Sequence, residues 1–148
     1  MKKTLIVDII SGLLILLFVY AGLSKLLDYA DFKFQLSRSP FVTKVAGLVA
    51  WAVPASEIVV ALLLVFNRTR LLGFYASFFL MLLFTGYIYA MLHYSYYVPC
   101  SCGGVLSQMS WGQHLIFNIA FTILAFLGVV MYEPVNTKQQ KDEILYDI

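Results

Sequence analysis

Four long apolar segments constrain this chain more than any other feature of its sequence. They span roughly residues 5–27, 45–66, 71–92 and 111–132. A helix needs about 20 mainly apolar residues to cross the hydrocarbon core of a bilayer. Backbone groups in lipid must form their hydrogen bonds internally, which favours helices. The sequence therefore predicts an all-α integral membrane four-helix bundle in residues 1–132, followed by a polar tail in residues 133–148.

The charge content supports a lipid environment and excludes some partners. Charged residues make up 12% of the chain and hydrophobic residues 61%, whereas soluble domains carry about 25% charged residues. The net charge of +2 is small and scattered along the chain, which argues against nucleic-acid binding. The lipid bilayer is therefore the first partner that we expect.

Lysine and arginine positions predict the orientation of the spans, because loops rich in these residues stay in the cytoplasm. With the amino terminus inside, the cytoplasmic residues are Lys2, Lys3, Arg68, Arg70, Lys138 and Lys141, and the outer ones are Lys25, Lys33, Arg38 and Lys44. The loop from Tyr94 to Ser110 contains no lysine or arginine. We therefore expect both termini in the cytoplasm and this loop outside it.

The segments between the spans also carry local signals. Residues 67–70 form a short polar turn, and the polar, aromatic stretch Asp28–Lys44 is expected along the membrane surface. Ser110 and Gln113 have the spacing of a capping box, which predicts a helix start near Trp111.

An alternative for the first span is a cleaved signal peptide. The sequence Val19-Tyr20-Ala21 resembles a cleavage site. Asp8, however, interrupts an apolar run that is long for a signal peptide. We therefore expect the span to be retained; cleavage would leave the outer loop outside.

The outer loop contains both cysteines of the chain, Cys100 and Cys102, separated by one serine. A disulfide between them would close a very small ring and stabilise the fold little. Strained or exposed disulfides are the labile, oxidising ones. Disulfides form and persist outside the cytoplasm. The pattern therefore favours a redox-active pair.

Two other roles for these cysteines remain open. They are inert thiols that happen to lie close together, or they contribute to a soft-metal site, for example for Cu(I). The metal site would recruit further ligands from His93, His114, Met91 and Met109. The spacing does not match the common paired zinc motifs.

Ionisable residues inside spans are costly and are candidates for function. Glu57 lies in the second span, one turn after Pro54, which leaves the carbonyl of Ala50 without its helical partner. Its expected partner is Lys25, near the outer end of the first span. The pair either fixes the position of the first two spans relative to each other, or forms part of a proton relay or cofactor site.

His114 and Asn118 lie four residues apart and share one face of the fourth span. We expect this face to point into the bundle, because lipid offers no hydrogen bonds. His114 is a candidate for assisting thiol deprotonation or proton transfer; the alternative is an interfacial histidine satisfied by water. His93 is expected to be interfacial.

These residues together resemble the MauE/DoxX-like redox-associated membrane proteins, which are small four-helix proteins of bacteria. The resemblance covers about residues 13–130. The segments that carry it are Tyr20–Lys25, Pro54–Glu57, Cys100–Gly104, Ser110–His114 and Phe117-Asn118. It implies a bacterial inner-membrane bundle that makes or handles disulfides of exported proteins; DoxX relatives imply quinone coupling. Gly103-Gly104 stands where MauE itself would have Phe-Gly, so the methylamine substrate is not carried over.

The leading hypothesis is a membrane thiol–disulfide oxidoreductase or its electron-relay subunit. Cys100 and Cys102 would exchange disulfides with an exported protein, such as a thioredoxin-like one, through a mixed disulfide. Electrons would pass to or from a quinone or a partner subunit, with His114 handling protons and Lys25, Glu57 and Asn118 forming the candidate cofactor site. Two competitors are a subunit that anchors or assembles a larger envelope complex, and a small-ligand transport bundle centred on Glu57.

Overall fold

The computed structural model describes residues 2–95 and 108–133, and these residues form five α-helices without a strand. The helices are α1 (Lys2–Leu27), α2 (Tyr29–Arg38), α3 (Ala46–Val65), α4 (Arg70–Tyr94) and α5 (Trp111–Met131). A 3-10 turn over Thr43–Val45 leads into α3.

Within these ranges, α1, α3, α4 and α5 are each long and apolar enough to cross a membrane. The predicted fold class, an all-α membrane bundle of four spans, is confirmed. Their observed bounds lie within three residues of the expected ones. The division between the bundle and a tail at residue 133 stays a prediction, because residues 134–148 lie outside the described part.

The four long helices form a ring in which α1 packs on α3, α3 on α4, α4 on α5, and α5 on α1. The contact between α5 and α1 is the least extensive of the four. Apolar side chains from all four helices fill the centre: Leu14, Phe18, Leu64, Phe74, Met81 and Ala125. Many other large apolar side chains are exposed, including Leu16 and Phe79, as expected for surfaces that contact lipid tails.

Alternation of helix direction gives the bundle two distinct ends. The carboxyl ends of α1 and α4 lie beside α2 and the amino ends of α3 and α5; we name this the α2 end. At the opposite, amino-terminal end, Arg70 of α4 bonds Asp8 of α1 at 2.8 Å. The hydroxyl of Tyr132 there donates to the carbonyl of Asn67 at 2.9 Å.

The sequence predicted only that residues 28–44 lie along the membrane surface. The structure shows that part of this segment forms a helix, α2. Phe32 and Leu36 stand four residues apart, so they share one face of the helix. Both are buried against Ala46 and Ala50 of α3. This small second cluster fixes α2 across the end of the bundle.

Candidate functional site

The candidate site is centred on an ion pair between α1 and α3. The ammonium of Lys25 lies 2.7 Å from Oε1 of Glu57. The side chains are only 8% and 1% exposed. Lys25 also donates to the carbonyl of Ala21 at 3.4 Å. The ion pair expected from the sequence is therefore present and is almost completely enclosed by protein.

Close approach of the two helices makes this contact possible. Gly22 lies one turn before Lys25, and a Cβ at this position would lie 3.0 Å from Cδ1 of Ile58 and 3.4 Å from the carbonyl of Pro54. A larger side chain would push α1 away from α3. Helix α3 itself continues through Pro54 without a break, so Glu57 is held by a regular helix.

The second carboxylate oxygen of Glu57 has no hydrogen-bond partner among the described residues. Oε2 is buried, and nothing in the described part of the chain bonds it. Buried polar atoms are nearly always bonded, so such an exception calls for an explanation. It indicates a donor that the described residues do not supply, from the rest of the chain or from another molecule.

Aromatic side chains cover the Lys25 ammonium on two sides. It lies 5.9 Å from the ring centroid of Phe32 in α2 and 5.7 Å from that of Phe84 in α4. Both distances are within the range of cation–π attraction. Neither phenylalanine was predicted from the sequence, although the spacing of Tyr29, Phe32 and Leu36 in α2 is typical of a helix with one inward apolar face.

Helix α5 contributes His114 and Asn118 to the same region. Both are buried, at 6% and 4% exposure, as expected for the inward face of the fourth span. The amide of Asn118 donates to the carbonyl of His114 at 2.9 Å, and the His114 ring stacks on Trp111 with centroids 5.9 Å apart.

The start of α5 is fixed as its sequence predicted. Ser110 Oγ accepts from the amide of Gln113, and the Gln113 side chain accepts from the amide of Ser110 at 3.0 Å. This reciprocal capping box is confirmed. It sets the position of His114, which lies one residue after the box.

A second polar contact, which the sequence reasoning also missed, joins the α2–α3 connection to α4. Ser39 is fully buried. Its hydroxyl accepts from the Tyr87 hydroxyl at 2.8 Å and donates to the sulfur of Met91 at 3.6 Å. Met91, proposed above as a soft-metal ligand, is thus engaged in packing. In the sequence, Ser39 is marked only by the proline that follows it.

Cys100 and Cys102 lie outside the described residues. The described chain stops at Ser95, after α4, and resumes at Gln108, before α5, and both of these flanks belong to the α2 end. His93 is exposed and stacks on Tyr89. Within residues 2–95 and 108–133, no group of three histidine, cysteine or acidic residues is arranged to hold a metal ion. The roles of the two cysteines and of His114 stay predictions.

Comparison with known proteins adds one finding. The family described as methylamine utilisation protein MauE matches residues 3–131. The match covers α1 to α5 and the cysteine loop, so Gly103-Gly104 does not set this chain apart from that family. Searches of curated proteins and of solved structures give no match.

Proposed function

Because the chain belongs to the family of methylamine utilisation protein MauE, we propose that it is a membrane component of thiol–disulfide exchange. In this proposal the Cys100–Cys102 pair reacts with an exported thiol protein, and the polar site at the α2 end serves the transfer of electrons and protons. The family's description suggests methylamine utilisation as the setting in which that exported protein functions.

The observation that carries the proposal is the unpartnered Oε2 of Glu57. It lies beside the Lys25 ammonium, at the end of the bundle where the cysteine loop joins α4 and α5. An isolated structural ion pair would leave no need for a buried acceptor without a donor. A ligand that donates to this oxygen would account for both the burial of the pair and the donor that the described residues do not supply.

The exchange chemistry is balanced within two sulfur pairs. A thiolate of the exported protein attacks one sulfur of the Cys100–Cys102 disulfide and forms a mixed disulfide. The second thiolate of the exported protein then attacks that protein's own sulfur in the mixed disulfide. This forms a disulfide within the exported protein and releases the second cysteine thiolate of the membrane protein. The exported protein has then lost two electrons and two protons, and Cys100 and Cys102 are both reduced. The same steps run in reverse when the exported protein is reduced.

We take a quinone as the membrane carrier, because the groups around Glu57 could pair with its oxygens. When bound, a quinone supplies an acceptor of two electrons and two protons. The Lys25 ammonium has three donors, of which the described contacts engage two, and Oε2 of Glu57 can accept from a hydroxyl. Phe32 and Phe84 provide aromatic surface beside the ammonium.

A complete electron relay often uses two cysteine pairs, and this chain has one. The proposal therefore includes a partner protein. An exported protein with its own dithiol, for example a thioredoxin-like one, supplies the second pair. The proposal also places the protein in a bacterial inner membrane, with both termini in the cytoplasm and the cysteine loop on the opposite side, as the distribution of lysine and arginine predicts.

The experiment is a quinone-reduction assay with the purified full-length protein in nanodiscs. A reduced dithiol protein is the donor, a short-chain quinone is the acceptor, and quinol formation is followed by absorbance. Cys100→Ser and Cys102→Ser should each lower the protein-dependent rate to background. Ser101→Ala, which lies between them without changing a sulfur atom, is the matched control and should retain the rate.

Glu57→Gln separates the redox proposal from its competitors. It should slow quinol formation at least tenfold and leave the Cys100–Cys102 disulfide able to form. If both cysteine variants kept the full rate while Glu57→Gln alone abolished uptake of a small solute, a transport bundle would be the better description. Full function of all three variants in the cell would indicate a scaffold.

A further inference from the structure

The amino-terminal end of the bundle contains a cleft that the proposed redox chemistry does not use. Its volume is about 610 Å³, within the range of about 300–1,000 Å³ that small-ligand pockets occupy. It lies between the start of α1, the turn from α3 to α4, and the end of α5. It thus opens beside the α1–α5 contact, the least extensive one in the ring.

The cleft has an apolar inner wall and a charged rim. Val7, Ile15 and Met131 contribute to the wall. A Cβ built on Gly12 meets no atom within 4 Å, which shows that the wall is open at this position. An amphipathic ligand fits such a lining, because its apolar part stays out of water while its polar part remains at the rim.

Among residues 2–95 and 108–133, the rim carries two cations and two anions: Lys3, Arg70, Asp8 and Glu133. Arg70 is held firmly, since its Nη1 bonds Asp8 at 2.8 Å and its Nε bonds the carbonyl of Leu64 at 3.1 Å. Lys3 and Glu133 are 3.9 Å apart, with side chains 76% and 84% exposed. One ion pair is therefore fixed, and the other can separate at little cost.

We propose that this cleft binds a phosphoethanolamine group, as carried by a zwitterionic membrane phospholipid. The phosphate would lie between Lys3 and the guanidinium of Arg70, and the ligand's ammonium would lie against Glu133 or Asp8. The four described rim charges sum to zero, so a zwitterion matches both signs of charge. A purely anionic headgroup would leave the two carboxylates facing a like charge, which disfavours it.

The test measures lipid binding by native mass spectrometry of the full-length protein, with the unfolding temperature as a second readout. Three probes are used: phosphatidylethanolamine, phosphatidylglycerol and soluble glycerophosphoethanolamine. Phosphatidylethanolamine should bind in a saturable way and raise the unfolding temperature, at least tenfold more tightly than phosphatidylglycerol. Weaker binding of the soluble compound identifies the lipid as the source; equal binding identifies the soluble compound.

Two matched pairs of variants locate the site. Gly12→Leu fills the cleft and should weaken binding at least tenfold, whereas Gly86→Leu, also at a glycine with open space around its Cβ but outside the cleft, should not. Lys3→Gln should weaken binding and Lys2→Gln should not. Equal or tighter binding of phosphatidylglycerol, or unchanged binding in Gly12→Leu with normal folding, would overturn the proposal.

Discussion

The two ends of the bundle use the same pairing of charges in opposite surroundings. At the α2 end, Lys25 and Glu57 are 8% and 1% exposed. At the amino-terminal end, Arg70 and Asp8 have a similar separation of 2.8 Å, but their side chains are 18% and 53% exposed. Short distance alone therefore does not distinguish a candidate site from a surface contact; burial does.

The difference has an energetic basis. Exposed ion pairs contribute about 0–1 kcal/mol, because water and salt screen them. A buried pair is costly to form, and loss of one partner leaves an uncompensated charge inside the protein. Burial of Lys25 and Glu57 inside a membrane-spanning bundle is therefore unfavourable. Because of this cost, ionisable residues within membrane spans are candidates for function.

The largest expected effect tests the buried pair. Glu57→Leu or Lys25→Met alone should lower the free energy of unfolding by about 3–5 kcal/mol, because each leaves one buried charge without its partner. The double variant should recover most of this loss, since both charges are removed. Unfolding in mixed micelles followed by circular dichroism measures all three; a double variant as unstable as the sum of the singles would contradict the comparison.

A smaller effect tests the packing of the amino-terminal end at a position outside its cleft. A Cβ on Gly73 would lie 2.9 Å from the backbone nitrogen of Leu64 and 3.0 Å from the carbonyl carbon of Leu63. Gly73→Ala should therefore lower the free energy of unfolding by about 1–3 kcal/mol through overpacking. Gly12→Ala, in open space, should be neutral or stabilise the helix slightly. A similar loss of unfolding free energy in both variants would contradict the difference in packing between Gly73 and Gly12.

The smallest effect tests the exposed pair. Asp8→Asn removes the charge opposite Arg70, whose Nε still bonds the carbonyl of Leu64. The change should lower the free energy of unfolding by about 0.2–1 kcal/mol and should become smaller as salt is added, because salt screens exposed charges. A loss as large as that of Glu57→Leu would show that the two ends do not differ in the way described.

The sequence allowed prediction of the features that depend on local pattern. Apolar length gave the four spans, the spacing of Ser110 and Gln113 gave the start of α5, and the rarity of charge in the spans singled out Lys25 and Glu57 as a pair. Each of these signals lies within one segment or follows from the cost of charge in lipid.

Other contacts that depend on the relative placement of helices could not be predicted. Phe32 and Phe84 are separated by 52 residues and meet at Lys25 only because α2 crosses the end of the bundle. Ser39 and Met91 are brought together in the same way. The unbonded Oε2 of Glu57 is also a property of the assembled packing, since it depends on which donors the neighbouring helices fail to provide.

The central claim is that Cys100 and Cys102 alternate between a disulfide and a dithiol while Glu57 assists the transfer. Alkylation of the purified protein, counted by mass spectrometry, measures this directly. The account predicts no alkylation before reduction, two alkyl groups after it, and joint loss of both reactive thiols when a quinone is added, more slowly in Glu57→Gln. Two thiols that are alkylated without reductant and are unaffected by the quinone would contradict it.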